Sequence, residues 1–231
     1  MSNVAYQLDE SVATIVMDDG KVNVMSLRML ADLNSALDRA LHDKAVIVLT
    51  GRAGVFSAGF DLAVLTAGGA DAHKMLIGGF ELAERLLSFP TPVIVACSGH
   101  ALAMGVFLVL AGDHRIGADG AFKIGANEVA IGMTMPHFAI EICRQRLSPA
   151  HFNRAVTNAQ IYAPLDAVAA GFLDETAPAP DLLSVAQRTA IRLRGLNMAA
   201  HAATKLRARE HALKAIRAAI ERDDAAVRAR S

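Results

Sequence analysis

The sequence predicts an α/β protein: a parallel sheet with helices packed on it, followed by a helical C-terminal region. Three observations carry this. Apolar strand-like runs alternate with helix-like runs from Val12 to Ile116, the order expected of βαβ units. The runs Val46–Leu49 and Val93–Cys97 are apolar at every position, as strands covered on both faces are. From Leu182 onward the chain is rich in Ala, Leu and Arg with few breakers, which is helix-forming composition.

Val12–Met17 is the first strand, ended by the turn signal Asp18-Asp19-Gly20. Ser26 is placed to cap a helix in which Leu30, Leu33, Leu37 and Leu41 recur at helical spacing. Val46–Leu49 comes next, then a glycine-broken loop from Thr50 to Gly54. Between Val55 and Leu62, the small Ala58 and Gly59 let the backbone approach a ligand closely, although a plain connecting loop has the same composition. Ala67 to Ala70 is expected as a flexible loop, and Ala72 to Ser88 as a helix that stops at Phe89-Pro90, because a residue before proline is pushed out of the helical region.

The rest of the chain is organised around Pro92 to Glu128. Val93–Cys97 is a buried strand, Ser98-Gly99-His100 interrupts it, and Ala103 to Gly112 is a buried helix. The first N–H groups of such a helix lack intrahelical partners and suit an anion or a developing oxyanion. No formal charge occurs from Val93 to Gly112, but Gly99 and His100 break the run, and it is bounded by Pro90-Thr91-Pro92 and Asp113-His114-Arg115. It therefore fits a soluble core rather than a membrane span. His114–Ile116 and Ala121–Ile124 read as two short strands, and His137–Gln145, Pro149–Thr157 and a segment from Ala163 to Gly171 as helices. Leu182–Arg194 and Ala199–Arg230 form the tail. The expected organisation is one core over residues 1–175 and a C-terminal helical region over 176–231.

Lys plus Arg equals Asp plus Glu at 23 each. That balance offers no overall attraction to nucleic acid or to an anionic membrane, and points to a small-molecule partner. Cys97 and Cys143, the only cysteines, read as buried thiols in a reducing compartment rather than as a disulfide framework or a metal site. The N-terminal MSNVAYQLDE has neither the basic start and apolar run of a secretory signal nor the Arg-rich character of a transit peptide, so a cytoplasmic location is expected.

Three segments taken together resemble the crotonase superfamily, the enoyl-CoA hydratase/isomerase family. Val55-Phe-Ser-Ala-Gly-Phe-Asp-Leu62 is similar to its F-x-A-G-x-D-[IL] segment, Thr91 to Gly105 to its K-P-x-I-A-A-[IV]-x-G-x-A-x-G-x-G segment, and Ile124 to Gly132 to its F-G-x-P-E-x-x-x-G segment. The resemblance implies a repeated ββα core and a helical tail used in trimer formation, with a homotrimer or a hexamer of two trimers as the assembly. It implies an acyl-coenzyme A thioester as substrate, no separate cofactor, and an oxyanion hole made by the backbone N–H groups of Ala58 and Met104. It implies Glu128 as the catalytic acid–base group and Phe60, Asp61, Leu62, Phe107 and His137 as residues against the substrate.

Two departures from the family pattern matter. Family hydratases use two glutamates, and where the first falls this chain has Phe107. Hydration needs one group to position water and another to manage the proton, whereas moving a double bond needs a single base. Ile124-Gly-Ala-Asn-Glu128, with Gly132 and Pro136-His137-Phe138, is closer to the I-G-x-N-E segment of 3,2-trans-enoyl-CoA isomerases. Isomerisation of a 3-enoyl-CoA to a 2-trans-enoyl-CoA is therefore expected, with hydration as the alternative of the same class and a crotonase-fold binding protein that has lost catalysis as the alternative of another class. A Glu128 facing Phe107 and Met104 should have its pKa raised by desolvation. Ala103-Met104-Gly105 stands where relatives commonly have glycines, so the Met104 side chain should narrow the acyl pocket.

Other chemistries find little support. None of the eight histidines sits in an H-E-x-x-H pair, which argues against zinc. Ser57 and Ser98 lack the G-x-S-x-G elbow, and neither G-x-G-x-x-G nor a Walker pattern occurs. The tail arginines are interspersed with Glu and Asp, as on a solvated helix face.

Overall fold

A computed structural model describes residues 2–229. The chain runs β1 (Val4–Asp9), β2 (Val12–Met17), β3 (Val24–Met25), α1 (Leu27–His42), β4 (Val46–Gly51), β5 (Gly54–Ser57), β6 (Gly59–Phe60), α2 (Leu62–Ala67) and α3 (Gly69–Leu87). It continues through β7 (Val93–Cys97), β8 (Gly99–Leu102), α4 (Met104–Ala111), β9 (His114–Ala118), β10 (Ile124–Gly125), α5 (His137–Arg144), α6 (Pro149–Val156) and α7 (Pro164–Ala170). β11 (Glu175–Ala177), α8 (Leu182–Arg194), α9 (Met198–Ala208) and α10 (Glu210–Arg228) complete it.

The chain winds as a spiral. β4, β7 and β9 lie side by side in a six-stranded sheet ordered β1-β2-β4-β7-β9-β11, while β5, β8 and β10, each the next strand along or nearly so, form a three-stranded sheet ordered β10-β8-β5. Each turn of the spiral thus gives one strand to each sheet and then a helix, the repeated ββα arrangement. All pairings in the large sheet are parallel except β1 with β2. The continuous apolar character of β4 and β7 follows, since alternate side chains enter different cores. Ile47 and Leu49 face the main core with α1, α3 and α4, whereas Val46 and Val48 face Leu182, Ala186 and Ala190 of α8.

Several local expectations need correction. Gly99 and His100 do not interrupt the spine: the chain turns at Ser98 and continues as β8 into the small sheet. The loop expected over Ala67 to Ala70 shrinks to Gly68, which separates α2 from α3. Pairing after β9 begins at Ile124 and not at Ala121. The tail expected as one run from Ala199 breaks at Arg209, and the Arg230 end of that run lies outside the described residues. β1 and β11 were not expected. β1 joins β2 through Glu10 and Ser11, both at positive φ, 43° and 64°, a two-residue turn that usually announces itself by Asn-Gly. Residue 175 falls on the first residue of β11, which pairs with β9 at the edge of the large sheet.

Candidate active site

Three stretches of the spiral meet at one cavity of about 110 Å3. Ala58 and Phe60 come from the segment after β5, Ala103 and Phe107 from the start of α4, and Asn127 and Glu128 from the segment after β10. Leu62, Leu65, Leu76 and Phe80 close it from α2 and α3, so the wall is largely carbon. A buried aromatic series braces it: Phe80 stacks on Phe138 with centroids 4.5 Å apart, and Phe107 meets Phe138 edge-on at 6.0 Å.

Glu128 is held by its backbone rather than its side chain. Its carbonyl accepts from the N–H groups of Ile131 at 3.1 Å and Met133 at 2.9 Å, closing a 3-10 turn over Val129–Ile131. The side chain is buried, with the residue 6 % exposed, and Oε2 has no hydrogen-bond partner. Burial without a neighbouring cation penalises the carboxylate and raises its pKa from 4.5 to about 7. An acid with that affinity is loaded and unloaded near neutrality, as a proton carrier requires.

The start of α4 supplies the electrostatic complement. Ala103, its N-cap, lines the cavity at φ 49° and ψ −126°, a conformation that costs a non-glycine residue about 1–3 kcal/mol and recurs at functional sites. The strain turns the chain sharply from β8 into α4, leaving the first helical amides, beginning with Met104, without intrahelical acceptors. Two glycines allow the motif segments to touch. Gly59, at φ 95°, would place a Cβ 2.8 Å from the Ala103 Cβ and 3.3 Å from the Met104 nitrogen. A Cβ on Gly105 would lie 2.4 Å from the Ser57 carbonyl oxygen.

Of the residues singled out from sequence, Ala58, Phe60, Leu62, Phe107 and Glu128 share this cavity. The proposed donor role of the Ala58 amide needs correction: that N–H donates to the Val22 carbonyl at 3.0 Å and is not free for a ligand. Asp61 is not among the lining residues; its carboxylate accepts from the Ala63 and Val64 amides and caps α2. His137 sits in an adjoining cavity of about 250 Å3 that shares Leu76, Phe80, Met133 and Pro136 with the first. The Met104 side chain is fully buried and outside the lining, so it does not narrow the pocket as expected. Asn127, Ala103, Phe80 and Phe138 were missed. Ala103, a non-glycine where relatives have glycine, left a signal, as did Asn127 and Phe138 by standing in the segments compared with the isomerases; Phe80 left none.

A larger concavity of about 450 Å3 lies at Asp113 and α9, but its polar groups are engaged structurally. Asp113 accepts from Lys205 at 2.6 Å, Arg209 at 2.7 Å and the Val93 amide at 2.7 Å, tying the tail to the sheet. Among the described residues, no group of three or more His, Cys, Asp or Glu stands ready to hold a metal ion, and no helix is long and apolar enough to cross a membrane.

A sheet spiral whose successive turns converge on a buried carboxylate and a strained helix start defines a crotonase fold. The sequence profile described as Enoyl-CoA hydratase/isomerase matches residues 7–228, and the chain belongs to that family. A probable enoyl-CoA hydratase of Bacillus subtilis (strain 168) is 36 % identical over 143 residues, 60 % of this chain. The chain spans only 55 % of that relative's length. The crystal structure of an enoyl-CoA hydratase/isomerase family protein from a Pseudomonas superposes with a TM-score of 0.94 at 46 % identity, covering 96 % of both chains. An enoyl-CoA isomerase from Mycobacterium tuberculosis superposes at 0.92 with 50 % identity, covering 95 % of this chain and 96 % of its own. Another structure from that organism, also 50 % identical, is called a probable enoyl-CoA hydratase.

Proposed function

We propose that the protein isomerises 3-enoyl-CoA thioesters to 2-trans-enoyl-CoA, with Glu128 as the single proton carrier. The observation that carries this reading is that, among the described residues, Glu128 is the only carboxylate lining the cavity, with a phenyl ring, Phe107, also in its wall. Glu128 takes a proton from C2, the electrons pass to the thioester oxygen, and the proton returns at C4. The amide of Met104, at the start of α4, is the donor proposed for that oxygen; losing one such donor typically costs about 3–4 kcal/mol of transition-state stabilisation. Phe60 and Leu62 are proposed to contact the acyl group, and coenzyme A enters as part of the substrate. Water addition would need a second group to position the water, and Phe107 cannot serve.

The test is turnover of a 3-enoyl-CoA and a 2-enoyl-CoA side by side, by the wild type and by Glu128→Gln. Isomerisation should collapse in the variant by at least about 10²-fold, the low end of what a general acid–base group contributes, with little hydration by either protein. Substantial wild-type hydration, or isomerisation untouched by the substitution, would overturn the assignment.

A further inference from the structure

Two buried oxygens of this cavity have no hydrogen-bond partner: Glu128 Oε2 and Asn127 Oδ1. The two residues are consecutive and line the same chamber, whose other walls are carbon: Leu62 and Leu65 from α2, Phe80 from α3 and Phe107 from α4. The titratable group that α5 brings to Glu128 is the Cys143 thiol, itself buried and raised in pKa first by desolvation and then by Glu128. Among the described residues, no cation or donor side chain bonds either oxygen.

Two acceptors cannot satisfy one another while Glu128 is ionised. A single proton changes this, because a carboxylic acid donates one hydrogen bond and a carboxamide oxygen accepts. The arrangement is mismatched to the ionised carboxyl and matched to the neutral one.

We propose that Asn127 is a positioning residue that accepts the O–H of neutral Glu128 while the carboxyl holds the proton abstracted from substrate. The proposal rests on the isomerisation reading. In the first step the C2–H bond breaks, its proton joins a Glu128 oxygen, and its electron pair delocalises through the dienolate onto the thioester oxygen. In the second, the dienolate takes that proton at C4, a C4–H bond forms, Glu128 returns to the carboxylate, and the double bond stands between C2 and C3. Between the steps the acid is neutral, and a hydrogen bond to Asn127 keeps its proton from exchanging with solvent before C4 receives it.

The test uses the full chain with Asn127→Ala and with Asn127→Ser, which keeps a short acceptor and serves as the folded variant should the alanine chain fail to fold. Carboxyl 13C NMR follows the ionisation of Glu128 without reference to activity. Removing the acceptor destabilises the acid form, so Glu128 should titrate about one pH unit lower in Asn127→Ala, a tenfold loss of proton affinity, with Asn127→Ser between. In deuterated water the wild type should return mostly the original proton to C4, and Asn127→Ala should incorporate several-fold more deuterium there. An unchanged titration, or an unchanged deuterium content in an isomerising protein, overturns the proposal. Should the wild type hydrate and not isomerise, the reaction reading fails by itself, and the titration still decides whether Asn127 bonds the neutral carboxyl.

Discussion

At the scale of single residues, burying Glu128 trades stability for chemistry. Its carboxyl is raised from 4.5 to about 7 by desolvation, so between those values the native chain binds a proton that the unfolded chain has released. Stability must then fall as pH rises through that window, by up to ~3 kcal/mol. Glu128→Gln removes the titrating group. Its Tm should sit close to the wild type at pH 5 and exceed it by a growing margin to pH 8; a margin independent of pH would show that Glu128 is not the buried acid described. Activity has the opposite dependence, since the base must be ionised, and kcat/KM should decline below about pH 7 with a slope of one. Ala103 carries a second local cost at φ 49°. Ala103→Gly should relieve it and raise stability by about 1 kcal/mol, and a lower Tm would refute the strain. Glu128 and Phe107 were legible because Glu128 stands inside one conspicuous motif and Phe107 two residues beyond another. The engagement of the Ala58 amide was not, because its acceptor Val22 is distant in sequence and belongs to no motif.

At the scale of elements, α4 fits tightly against β5, where Gly105 packs on the Ser57 carbonyl with no room for a Cβ. Gly105→Ala should displace the start of α4, lowering kcat through the Met104 amide and lowering Tm together; full activity at reduced stability would separate α4 from the chemistry. α5 depends on α10 in a similar way. Its first amides, those of His137 and Phe138, donate to the buried carboxylate of Asp223 at 3.0 and 2.9 Å. Asp223→Ala should cost about 1–2 kcal/mol in denaturant unfolding, as loss of a helix cap does. Composition placed α8, and periodicity located α1 and α3 well, because each presents one apolar stripe to a core. It was blind to the Arg209 break, which is made by tertiary bonds from Arg209 to Asp113 and to the Leu87 carbonyl. β1 escaped notice for a related reason: it is an edge strand, mostly exposed, held by register with β2 and not by an apolar pattern of its own.

At the scale of the whole molecule, the alternation of apolar runs gave the parallel sheet, and the three motif segments gave the family. The spiral that brings those segments together could not be read from spacing, because it depends on which strand pairs with which. The isolated chain exposes large apolar side chains, among them Leu165 at 74 % and Ile131 at 49 %. We expect a trimer, or a hexamer of two trimers, and light scattering that returned a monomer would defeat that expectation. The winding also orders events in time. The large sheet is built from pairings between segments far apart in sequence, such as β2 with β4, β4 with β7 and β7 with β9, and contacts of that kind form slowly. Glu128 follows β10, the last strand to join the small sheet, so two turns of the spiral can be in place before any carboxylate reaches the chamber. On refolding, tertiary signals from the first turns should return before turnover does, and the lag between them measures how long the protein exists as a sheet with an unfinished site.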